Sequence, residues 1–263
     1  QLTPKVIAYD AELNIAIYKW IEGNHLQSVE NEHIDQALNF IKILQDIETP
    51  EFSKPASEAC TSAEQLFHQI EERHKKLDSI ENNILQNFLN TIFKPLYLDV
   101  KNWSTQQWPA NNFHEILASV KQTLSPSDFG IHNSIMRSDG TLCFLDLEYF
   151  GWDDPVKLIA DFIWHPAMTL NDDHKNRWVK NSFLIFKNTE EIKQRFHAAW
   201  PLYGMRWAMI LLNEFREDGW NKKLHVDENL GKLPVYRNKI EAHRSKRYKN
   251  LMLYQMLKLW LKT

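Results

Sequence analysis

The chain has 263 residues, a formal net charge of −3, 25% charged residues and 43% hydrophobic ones. That length suits one large domain or one and a half, and the near-neutral balance excludes a general nucleic-acid binder, which needs a basic face. No run of about 18 apolar residues reads as a membrane span, and Cys60 and Cys143 lack the spacing of a metal site or a disulfide set, so a reducing, cytoplasmic setting is expected.

In chain order, residues 4–23 read as a hairpin. Pro4 to Tyr9 is a short strand, Asp10 to Asn14 a turn, and Ile15 to Ile21 a second strand that ends at Gly23. The strand pattern at the very start reads as a piece of a longer protein. Ser28 is placed as the N-cap of a helix to about Ile47, with Ile34, Ala37, Leu38, Ile41 and Leu44 on one face. Pro50 and Pro55 bound a loop. Helical periodicity returns over roughly 62–96 with a break near Asp78, and Pro109 and Asn112 open a further helix that ends before Pro126. Residues 125–150 change texture to loop, short strand, turn and strand, with Ser138-Asp139-Gly140 as the hairpin turn. From Pro155 the chain reads helical to its end, with breaks near Pro166, Pro201 and Gly231, and the basic run Arg237–Lys249 reads as a solvated face. This order predicts an α+β fold dominated by helices. Residues 1–23 would form a small strand-rich start and 24–263 a helical lobe carrying the 125–150 loop.

That loop holds the chemistry. Asp128, Asn133 and Asp146 stand in an Asp-x4-Asn-x12-Asp spacing. Phosphoryl transfer needs a carboxylate to orient a hydroxyl and accept its proton, and hard oxygen ligands for magnesium. Two assignments compete. Asp128-Phe129-Gly130 spells the metal-binding motif of protein kinases, but then a base and an Asn must lie about 15–25 residues upstream. Asp99, with Ser104 five residues on, does not supply them, and no Ala-Pro-Glu follows. With Asp128 as base and Asn133 and Asp146 as ligands, every group is present, and the hairpin at Asp139-Gly140 returns Asp146 beside Asn133.

Asp128-x4-Asn133, Asp146-x-Glu148-Tyr149 and Gly151-Trp152-Asp153-Asp154-Pro155 together resemble the aminoglycoside phosphotransferase and choline kinase superfamily, which shares the protein-kinase-like fold. The upstream hairpin resembles the last two strands of the amino-terminal lobe and the hinge. The resemblance implies that Asp128 is the catalytic base and that Asn133 and Asp146 bind Mg2+. It further implies that the backbone of Lys19 and Ile21 holds the adenine of ATP. Glu148 would reach metal-bound water or the acceptor. Trp152 either walls a substrate pocket or covers the core. Pro126-Ser127 stand where the family has His-Gly, and Leu158 where it has an Asp. Asp161, one helical turn on, is expected to substitute in part. No glycine-rich loop or strand lysine precedes the hairpin, so either about 60–100 further residues are expected in front or the chain is expected not to catalyse.

The implied function is an ATP- and magnesium-dependent transfer to a hydroxyl of a small molecule: an aminoglycoside, a choline-like amino alcohol or a sugar. The alternative is a non-catalytic nucleotide- or ligand-binding module of the same fold (a pseudokinase). A metal-dependent hydrolase would leave the hinge hairpin unexplained. His132, adjoining Asn133, is expected to pack or hydrogen-bond, and His165, four residues after Asp161, to make a structural hydrogen bond.

Overall fold

The computed structural model describes residues 2–13, 15–48, 54–109, 112–187 and 190–216. The expectations for Asn14, Pro50, Gly231 and the run Arg237–Lys249 fall outside them. Among the described residues, no helix is long and apolar enough to cross a membrane.

Strands β1 (Val6–Asp10) and β2 (Ile15–Tyr18) pair antiparallel, with Asp10 opposite Ile15. Asp10 closes the turn: its Oδ1 accepts the amides of Glu12 and Leu13. The segment that follows is tied to the middle of the chain by Asn24, whose amide donates to the Met136 carbonyl (3.0 Å) and whose carbonyl accepts the Met136 amide (2.9 Å). Gly23 makes this approach possible. Its φ is +153°, and a Cβ there would lie 2.3 Å from the Met136 oxygen.

Helix α1 (Asn31–Gln45) buries the expected face, Ile34, Ala37, Leu38, Ile41 and Leu44, together with Phe40. It starts after Glu30 instead of Ser28, because the His33 Nδ1 accepts the Glu30 amide at 2.9 Å. Helices α2 (Ala63–Asp78), α3 (Asn83–Phe88) and α4 (Lys94–Gln107) follow, with a π-helical turn at Leu89–Phe93 between the last two. The expected break after Asp78 is present, and Asn82 restarts the chain by accepting the Leu85 amide.

The helix expected from Pro109 to before Pro126 does not form. The backbone groups of this stretch are used elsewhere: the Leu117 amide donates to the Thr61 carbonyl, and the Phe113 carbonyl accepts the Glu64 amide. Ile116 and Val120 are exposed, so no apolar stripe would have been buried by a helix. The segment instead runs into strand β3 (Thr123–Ser125), antiparallel to β6 (Gly151–Asp153). Between them, β4 (Ser134–Met136) and β5 (Leu142–Phe144) form the expected hairpin, with Gly140 at φ +80° in its turn. Helices α5 (Pro155–Trp164), α6 (Asp172–Ile185) and α7 (Glu190–Leu211) complete the described chain. Pro201 lies within α7 and does not end it. Ala198, Ala199, Leu202, Tyr203 and Met205 are all buried around it, which outweighs a helix-interior proline cost of about 3 kcal/mol.

The architecture is therefore α+β with helices dominating, and it divides into two compact units. Gln1–Gln65 with Gln107–Ala199 form the unit that holds the loop 125–150, and the first hairpin belongs to the same unit. Its core is aromatic. Phe129 packs against Phe40 (5.3 Å between centroids), Phe144 (5.1 Å) and Phe162 (5.8 Å), and Trp178 stacks on Phe162 at 3.7 Å. The Trp178 Nε1–H donates to the Ile159 carbonyl, so the ring's polar atom is satisfied. The second unit, Leu66–Gln106 with Trp200–Thr263, buries Ile70, Leu77, Leu85, Leu89 and Phe93 from its first segment, and Leu202 and Met209 from its last.

Phe129 is 4% exposed and adjoins Asp128, so it anchors the functional loop in this core. Replacing Phe129 with Ala should cost about 3–5 kcal/mol. Urea unfolding of the two proteins measures it, and a loss below 1 kcal/mol would remove Phe129 from the anchoring role.

Candidate active site

Strand β3 delivers the loop. Ser125 Oγ accepts the Ser127 amide at 3.1 Å, and the Asp128 amide donates to the Pro126 carbonyl at 2.9 Å. Ser127 has φ +67°, a left-handed conformation that costs a non-glycine residue roughly 1–2 kcal/mol. Its hydroxyl compensates, donating to the Ser57 carbonyl at 2.8 Å and lying 3.4 Å from the Lys157 Nζ.

After Phe129 enters the core, Gly130 lets the chain fold back tightly. A Cβ there would lie 2.4 Å from the His132 Nδ1. Ile131–Asn133 form a single 3-10 turn, so the side-chain alternation of a strand does not apply, and His132 turns back toward Asp128. The Asn133 Nδ2 donates to the Asp128 carbonyl at 3.0 Å, which leaves its Oδ1 as the ligand-type oxygen. Hairpin β4–β5 then returns the chain: the Leu145 amide donates to the Asn133 carbonyl at 2.8 Å. Asp146, the next residue, is exposed and held at φ +56°. A non-glycine residue in that region marks a conformation imposed by its surroundings.

The electrostatics divide the two aspartates. The imidazoles of His132 and His165 both approach Asp128 Oδ1, at 3.5 and 3.3 Å, and hold its carboxyl well below the usual carboxylate range despite partial burial. Asp146 moves the other way. Although its side chain is exposed, partial desolvation by its neighbours, then the like charges of Glu148 and Asp128, raise it. A divalent cation would relieve that repulsion, and the oxygen donors of Asn133 and Asp146 have the hardness magnesium selects.

Beneath the loop lies a buried ion cluster. Lys157 is 1% exposed, and its Nζ lies 3.1 Å from Asp153 Oδ2 and 3.3 Å from Asp161 Oδ2. Asp153 Oδ1 accepts the Cys60 and Asp154 amides, both at 2.8 Å. Asp154 caps α5 by accepting the Val156 amide and pairs with Arg195 at 2.8 Å; burial pushes its carboxyl up to about 6.

Asp128, Asn133 and Asp146 thus lie on one continuous hydrogen-bonded loop. Glu148 follows on a turn, not on a strand, and is exposed. Trp152 is 6% exposed within β6, a position that suits covering the core. Asp161 is 5% exposed and engaged with Lys157 beneath the loop. Lys19 and Ile21 follow β2, and the Lys19 amide donates to the Lys5 carbonyl at 2.8 Å, so that amide is already engaged. Sequence reasoning gave no site role to His132, His165 or Lys157. The signal for His132 was Asp-x3-His from Asp128, and for Lys157 it was Asp-x3-Lys-x3-Asp across 153–161; no local pattern marked the contact of His165 with Asp128.

The chain is similar in structure to solved choline and ethanolamine kinases. An ethanolamine kinase from Plasmodium vivax matches at 18% identity and TM-score 0.47, over 81% of this chain and 62% of its own. A choline kinase from Cryptosporidium parvum matches at 12% and 0.47, over 89% and 76%. A choline kinase from Streptococcus pneumoniae matches at 15% and 0.48, over 83% and 68%. The chain therefore spans less than two thirds of the Plasmodium enzyme. At these identities and TM-scores the likenesses fix neither substrate nor cofactor. No family model matches the chain, and no curated protein does.

Two measurements test the site's electrostatics. Lys157→Met leaves two buried carboxylates without their cation and should cost about 3–5 kcal/mol in chemical denaturation; an unchanged midpoint would contradict the buried cluster. Asp128 has a folded pKa below its unfolded value of about 3.9, so its ionised form adds stability above that pH and loses it as pH falls further. Asp128→Asn should therefore lower stability at pH 7, and by less at pH 3. A penalty that grows on acidification would reverse the assignment.

Proposed function

We propose that this chain belongs to an ATP- and magnesium-dependent phosphotransferase that moves a phosphoryl group to a hydroxyl of a small molecule. What carries this reading is the loop itself. The Asn133 side chain is bonded to the Asp128 carbonyl, and the Leu145 amide to the Asn133 carbonyl, which supports reading Asp128 as a base with Asn133 and Asp146 as oxygen ligands. Asp128 orients the acceptor hydroxyl through Oδ2 and accepts its proton as the hydroxyl oxygen bonds to the terminal phosphorus and the bond to the bridging oxygen breaks, releasing the nucleoside diphosphate. Oδ1 is the oxygen faced by the two imidazoles. Asn133 and Asp146 would hold Mg2+, which when bound neutralises charge on the nucleotide phosphates. The backbone after β2, at the Lys19 carbonyl and the Ile21 amide, supplies an acceptor and a donor for a purine edge.

The acceptor class spans aminoglycosides, choline-like amino alcohols and sugars. A second reading is a non-catalytic module that binds a nucleotide or small ligand. The depressed basicity of Asp128 favours it, since a carboxylate held that low is a weak proton acceptor.

The test is nucleotide turnover by the full-length protein with Mg2+ against a panel of those three acceptor classes. An active acceptor should lose about 100- to 10,000-fold in kcat with Asp128→Asn, the range of general-base catalysis. Asp146→Ala should abolish the magnesium dependence of nucleotide binding, measured by calorimetry. Magnesium-dependent nucleotide binding without turnover on any acceptor would favour the second reading, and an Asp128→Asn enzyme as fast as wild type would refute the base assignment.

A further inference from the structure

The trio Asp128, His132 and His165 has donor atoms all within 4.8 Å of one another, a grouping compatible with a metal ion. The hydrogen bonds around it say otherwise. His165 Nδ1 accepts the Ala167 backbone amide at 3.2 Å. An N–H can only meet a ring nitrogen that carries a lone pair, so the neutral imidazole keeps its one proton on Nε2. That nitrogen faces Asp128 Oδ1 at 3.3 Å. A metal on Nε2 would require the opposite tautomer, with Nδ1–H set against the Ala167 N–H. The two rings also stack at 3.8 Å and 8°, so an ion shared between them would lie out of both ring planes.

We infer that His165 is a positioning residue for Asp128: its Nε2–H, selected by the Ala167 amide, holds Oδ1 and turns Oδ2 toward the acceptor hydroxyl. The inference rests on Asp128 being the base. The backbone of His165 is itself fixed, with its amide donating to the Asp161 carbonyl at 2.9 Å and its carbonyl accepting the Met168 amide at 3.0 Å. It therefore stands at the end of α5, the helix that Lys157 ties to the loop. His132 plays the part of a side wall. Neither of its ring nitrogens has a hydrogen-bond partner among the described residues, and its 3.5 Å approach to Asp128 is long for a hydrogen bond. Its face packs on His165 and stops that ring from swinging away. Gly130 makes room for this wall, since any Cβ there would strike the His132 ring.

The test has two arms. Long-range 15N–1H correlation of the histidine side chains in the full chain at neutral pH should report His165 as the Nε2–H tautomer. The Nδ1–H tautomer, or His132 and His165 signals that shift together with one equivalent of Zn2+, would overturn the inference. In turnover assays, His165→Ala should lower kcat about 10- to 100-fold at unchanged KM for ATP, the size of one hydrogen bond to a charged group. His165→Gln, whose amide nitrogen reaches the Nε2 position, should recover most of that loss; equal rates for the two variants would refute the positioning role. The tautomer arm needs no activity. If Asp128→Asn retains full turnover, the base assignment fails on its own while the tautomer still reports whether the hydrogen bond is made.

Discussion

Everything at the site depends on a buried ammonium. Lys157 sits between Asp153 and Asp161 with almost no solvent contact. Removing such a group from water costs several kcal/mol, and only close, well-satisfied partners return it. Asp153 is satisfied on its other oxygen by two backbone amides, and Lys157 also reaches the hydroxyl of Ser127. One charge thereby joins the end of β6, the first turns of α5 and the residue just before the candidate base. A loop tethered in this way keeps its shape without a ligand, which is the condition a site needs if orientation is to contribute to rate.

The loop distributes opposite tasks to neighbouring residues. Phe129 goes to the aromatic core while Asp128, one position earlier, is left at the surface of the unit. The backbone between Ser127 and Gly130 absorbs the cost of that alternation: a left-handed serine on one side and a Cβ-free close approach on the other. The two aspartates are tuned apart in the same way. Imidazoles draw Asp128 toward its charged form, while desolvation and then like charges push Asp146 away from it. Two carboxylates with divergent environments can carry different roles within one small loop.

Much of this was legible in the residues. The Ser138-Asp139-Gly140 turn and the apolar face of α1 are local patterns, and the structure follows them. The misreadings arose where tertiary contacts overruled local preference. The stretch after Pro109 gave its backbone groups to residues 61–64, and the buried surroundings of Pro201 kept α7 intact. His132 was judged by strand alternation, yet it lies on a 3-10 turn. Lys157 could have been found from its i±4 carboxylates, but the same pattern is ordinary on solvated helices, and burial is not written in three residues. His165 is beyond sequence reading, because its role comes from a backbone amide two residues on and an aspartate 37 positions back.

The short ladder between Asn24 and Met136 carries one further consequence. Two hydrogen bonds clamp the stretch after the first hairpin to β4, and Asn133 begins only three residues before Met136. Three extended residues span about 10 Å and bend little. The first strand pair and Asn133 are therefore joined by a short hydrogen-bonded path through β4, made possible by the close backbone approach at Gly23. Any change in the backbone at Asn24 would be felt first in β4, and through β4 at Asn133 and its partners Asp128 and Leu145.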